Sequence, residues 1–79
     1  MTEVANPVEQ PTAEEIARHY SAAMDSVNLI NGEKPEAMDA QEWADTLKRN
    51  AEHLSIMVAK TWWTGQDMAP LQAAIAKVG

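Results

Sequence analysis

The chain has 79 residues, no cysteine and a formal charge of −6. So short a chain holds one domain at most, with no disulfide or thiolate–metal reinforcement. Its negative balance disfavours binding to nucleic-acid phosphates and to anionic membranes. The acidity is uneven, with seven acids and two bases in residues 1–36 against five acids and four bases in residues 37–79. Solubility is the plain use of such a charge. No apolar run reaches about 18 residues, the length needed to span a bilayer. The opening residues lack the basic and apolar regions of a signal peptide, so the expected location is cytoplasmic.

Residues 1–11, MTEVANPVEQP, place two prolines and two acids around two isolated valines. This composition cannot bury enough apolar surface to fold alone, and an extended or disordered acidic arm is expected. A helix is expected over residues 12–31. Thr12 is a good N-cap and Glu15, three residues on, completes a capping box. Ala13, Ile16, Tyr20, Ala23, Met24, Val27 and Ile30 then recur at steps of three and four, one helical stripe. Leu29 falls off that stripe. Asn31-Gly32 supplies a stop, with Gly32 available for the left-handed conformation.

After the loop GEKPEAM, the segment MDAQEW repeats the start signal. Asp39 is the cap, Glu42 sits at the third helical position, and Met38 and Trp43 can clasp as a hydrophobic staple. The second helix is expected over residues 39–63. Trp43, Leu47, Ala51, Leu54, Met57, Val58 and Thr61 share its core face, with Trp43 as a core residue. Asp45 with Arg49, and Lys48 with Glu52, have the spacing of weak ion pairs along a solvated face. Ile56, Ala59 and Trp63 form a second apolar strip off the core face. Two readings of that strip stay open: helix three folds back over it, or another chain covers it. The candidate partner-binding residues are therefore Leu29, Ile56, Ala59 and Trp63.

TGQDMAP is a turn in which Gly65 permits a sharp change of direction. Thr64 and Asp67 have cap-box spacing, and Pro70 is tolerated only in a first helical turn. A third helix over residues 68–78 carries the narrow stripe Met68, Leu71, Ile75 and Val78. Its other face, Ala69, Ala73, Ala74 and Ala76, is small enough for close helix approach. No alternating strand pattern occurs. The expected fold is all-α, a small three-helix bundle with short loops over residues 12–79 and an N-terminal arm before it.

Little in the sequence speaks for chemistry. His19 and His53 lie on different helices, with no spacing that ligates a metal, so no metal site and no cofactor are expected. Ser55 and His53 are two apart and face different ways on a helix, which argues against a nucleophile–base pair. No catalytic residues are assigned, and a non-enzymatic protein is expected. Residues 49–76 resemble the C-terminal part of small helical proteins encoded in tailed-phage genomes. The shared features are the His-Leu-x-Ile-Met run, the Lys-x-Trp-Trp-Thr turn and the Asp-Met-x-Pro-Leu helix start. That resemblance implies a virion-associated or assembly protein, or an early protein aimed at a host factor, and carries no site residues with it. The expected function is an interaction or structural module that binds a protein partner or self-associates into a homo-oligomer, without direct contact to nucleic acid or membrane. The alternative is a small acidic inhibitor or regulator, of anti-host or DNA-mimic type, of a nucleic-acid-handling protein.

Overall fold

The computed structural model describes residues 11–79. The arm, apart from Pro11, lies outside the described residues. Three helices follow: α1 over Ala13–Asn31, α2 over Ala40–Val58 and α3 over Ala69–Val78. The first two start where the sequence signals them. Thr12 Oγ1 accepts the Glu15 N–H at 3.1 Å, and Glu15 Oε1 accepts the Thr12 N–H at 2.9 Å. Asp39 Oδ1 accepts the Glu42 N–H at 2.8 Å, with the reciprocal bond at 3.4 Å. Each box satisfies two of the N–H groups that a helix start leaves without partners.

The stops are less regular. Gly32 ends α1 in an extended conformation, φ −86°, instead of the expected left-handed one. Gly65, at φ 94°, is the residue that uses glycine's freedom. α2 stops at Val58, five residues before the expected end at Trp63. The Met57 carbonyl, which a continuing helix would give to the Thr61 N–H, accepts the Lys60 N–H at 3.1 Å and the Trp63 indole N–H at 2.8 Å. A side chain from the following loop thus satisfies a helix-end acceptor and diverts the chain. The expected Thr64–Asp67 box does not form either. Thr64 N–H bonds Gln66, while Asp67 Oδ1 accepts the Ala69 N–H at 3.0 Å. α3 has no side-chain cap and carries Pro70 in its first turn.

Two long-range bonds orient α3. Tyr20 Oη donates to the Asp67 carbonyl at 2.8 Å, and Lys77 Nζ reaches Asn31 Oδ1 at 3.4 Å. α3 therefore runs parallel to the second half of α1, from Tyr20 to Asn31. α2 runs antiparallel to both, with Trp43 and Leu47 beside Ile30. The core joins Ala23, Val27 and Ile30 of α1, Leu54 of α2, and Leu71 and Ala74 of α3. Burying a leucine such as Leu54 or Leu71 contributes about 1.5–3 kcal/mol. Ala74, on the face expected to be small enough for close helix approach, is a core residue.

With 10 residues, α3 is about 15 Å long, against about 28 Å for the 19-residue α1 and α2. It cannot cover the first turns of α1, yet Ile16 there is only 2% exposed. At that end of the bundle the irregular segment 59–68 carries the large side chains, Trp62 and Trp63.

Candidate functional site

The four residues picked from the sequence as a partner surface do not converge. Leu29 is in the last turns of α1 and Ile56 in the last turn of α2. The two helices are antiparallel, so these residues lie at opposite ends of the bundle. Leu29 is 36% and Ile56 60% exposed, and Ala59 is exposed at the α2 terminus. Isolated apolar residues of this kind are ordinary on a protein surface. Trp63 is half-buried and turned inward. It lies beyond the end of α2, so it forms no helical strip with Ile56. Its ring packs edge-on against Tyr20 of α1, with centroids 6.1 Å apart.

Trp62 lies against Trp63 at 4.6 Å and against His19 at 5.2 Å. His19, Trp62, Trp63 and Tyr20 thus form a chain of four rings joining α1 to the α2–α3 connection. Centroids this close leave no space between the rings for a cationic or planar ligand. The cluster closes the bundle end. Its sequence signal was the adjacent pair Trp62–Trp63, but its partner residues sit more than forty positions earlier.

At the opposite end the surface is open. A cavity of about 510 Å³ lies between α2 and α3, floored by Ala44, Ala51, Ser55, Ile75 and Val78 and flanked by Lys48 and Glu52. A second, of about 370 Å³, is lined by Ile30, Trp43, Leu47 and Lys77. Ala44 and Val78 border both. Trp43, expected in the core, is half-buried and lines the second cavity. The physical reason is its place in the first turn of α2, where that cavity leaves space beside the ring.

Charges along the helices are solvated. Among the described residues the one ion pair is Arg18–Glu14 at 4.0 Å, a surface contact of little energetic consequence. The expected Asp45–Arg49 pair is replaced by Gln41 Nε2 donating to Asp45 at 3.1 Å and Arg49 reaching the Thr46 hydroxyl at 3.5 Å. Lys48 and Glu52 form no pair. The Glu15 carboxyl is held below the usual carboxylate range by the Thr12 backbone N–H, helped by the Thr12 hydroxyl and the nearby Arg18 and His19, against a smaller opposing effect of desolvation. His19 and His53 are both exposed. Among the described residues no three His, Cys, Asp or Glu side chains gather as a metal site, and no helix is long and apolar enough to cross a membrane. No protein-family model, curated protein or solved structure matches the chain.

Proposed function

We propose that this protein is a helical interaction module whose binding surface is the groove between α2 and α3. The observation that supports this reading is the cavity of about 510 Å³ between α2 and α3, with Ala44, Ala51, Ile75 and Val78 in its lining. A trough walled by two antiparallel helices and lined by alanines, Ile75 and Val78 has the shape that receives a partner helix. Trp43, in the neighbouring cavity, is of the residue type most often found to dominate binding at protein interfaces. A role as an assembly subunit, which the resemblance of residues 49–76 implies, is one setting for such a surface.

Ala44→Leu tests the reading, because Ala44 is exposed and a larger side chain there fills part of that cavity. The variant is expected to melt at the wild-type temperature and to lose the partner that wild type retains, whether a second copy in sedimentation or another protein in a pull-down. Unchanged association would overturn the assignment of the groove.

A further inference from the structure

The cavity between α2 and α3 carries one charge of each sign, Lys48 and Glu52. Both are exposed, one turn apart on α2, and among the described residues neither is in an ion pair. With the lysine N-terminal to the glutamate, their order is the poorer one for pairing along a single helix. Ala44, Ala51 and Ser55 are the other α2 residues in the lining, all small, and α3 adds Ile75 and Val78.

Resting on this cavity as the binding surface, we propose that its occupant is a second copy of the chain, with the two α2 helices antiparallel about a two-fold axis level with Asn50. A two-fold contact sets one patch against itself, so the patch must be self-complementary. Lys48 and Glu52 lie about 3 Å to either side of that axis, at about 1.5 Å of rise per residue. Lys48 of each copy therefore meets Glu52 of the other, and two ion pairs form at once. The same axis sets Ala44 and Ser55 about 9 Å and about 7.5 Å to its two sides, so a small residue faces a small residue at each end. Ala51 lies beside the axis, where its size lets the two helices approach. A parallel arrangement would set lysine against lysine and glutamate against glutamate. Net negative charge on both copies opposes association at long range, so the two pairs fix the register more than they add affinity.

Sedimentation equilibrium of the full chain across concentration, at low salt, tests this. Wild type is expected to dimerise. Lys48→Glu and Glu52→Lys each set like charges together in both pairs and should weaken the dimer about tenfold. The double variant Lys48→Glu with Glu52→Lys should restore it, and an equimolar mixture of the two single variants should form a mixed dimer. Net charge alone gives a different order: Glu52→Lys makes each copy less acidic and would tighten association. Circular dichroism melts check that each variant is folded. A wild type that stays monomeric at every concentration would overturn the second copy, as would a Glu52→Lys dimer as tight as wild type. The cavity reading fails separately: a dimer that tolerates Ala44→Leu lies on another face, whereas a monomer whose Ala44→Leu variant loses a different protein partner removes the second copy and leaves the cavity standing.

Discussion

The two ends of the bundle hold their tryptophans in opposite ways. At one end Trp63 gives its indole N–H to the Met57 carbonyl and its ring edge to Tyr20, while Trp62 bridges to His19. At the other, Trp43 stands on a well-capped helix and walls an open cavity. The difference shows that helix placement alone does not put an aromatic in the core. All three rings are part-buried, and what differs is what holds them. The loop tryptophans are tied to α1 by ring contacts and to α2 by a hydrogen bond, at an end that α3 is too short to cover. The helix-borne tryptophan lines a cavity with Leu47, Lys77 and Val78.

The widest separation between the two ends is expected on truncation. Trp63→Ala removes packing and a hydrogen-bond partner together and should cost about 3 kcal/mol, whereas Trp43→Ala, which removes packing alone, should cost about 2 kcal/mol. Chemical denaturation of the two variants measures this. Equal losses would mean that the cavity beside Trp43 is filled in solution and the contrast between the ends is false.

A smaller effect sharpens the closed end alone. Tyr20→Phe keeps the ring beside Trp63 and deletes the donor to the Asp67 carbonyl. A loss of about 0.5–1 kcal/mol is expected, with tryptophan fluorescence little changed. A large spectral shift would instead show that the phenol positions the whole ring chain.

The smallest effect concerns the α1 cap, next to the closed end. Folding lowers the Glu15 pKa, so its contribution is fully present above the unfolded-state value and is lost as pH falls through the lowered folded value. Urea midpoints measured from about pH 6 to about pH 3 should fall less steeply for Glu15→Gln than for wild type. Parallel curves would show that the capping carboxylate does not couple to folding.

How far this architecture could be read from the sequence depends on the range of the interactions that set it. Thr12–Glu15 and Asp39–Glu42 were legible because each box is complete within four residues. The end of α2 was not, because residues 59–63 contain no stop signal and Thr61 and Trp62 continue the helical phase. What ends the helix is the capture of the Met57 carbonyl by an indole six residues away, favoured by a ring contact to Tyr20 that no local pattern announces. The groove was missed for a different reason. Alanines at positions 44 and 51 look like ordinary helix formers, and only the approach of Ile75 and Val78 turns them into a floor. The exposed Leu29 and Ile56 attracted attention as apolar residues off-stripe, but separation by the antiparallel arrangement leaves each alone.

α3 starts without a capping box, with a single side-chain bond from Asp67 to its first N–H. α1 and α2 carry their own start signals, so both can flicker into helix before any distant contact exists. α3 has no such signal, and its two ties to α1 join residues 47 and 46 positions apart. Bringing those ends together costs loop entropy that nothing within α3 offsets. α3 is therefore expected to form last, laid onto an α1–α2 hairpin at Tyr20 and Asn31. The same sequence run backwards makes it the first element to leave, baring Ala23 and Leu54 while the hairpin still stands.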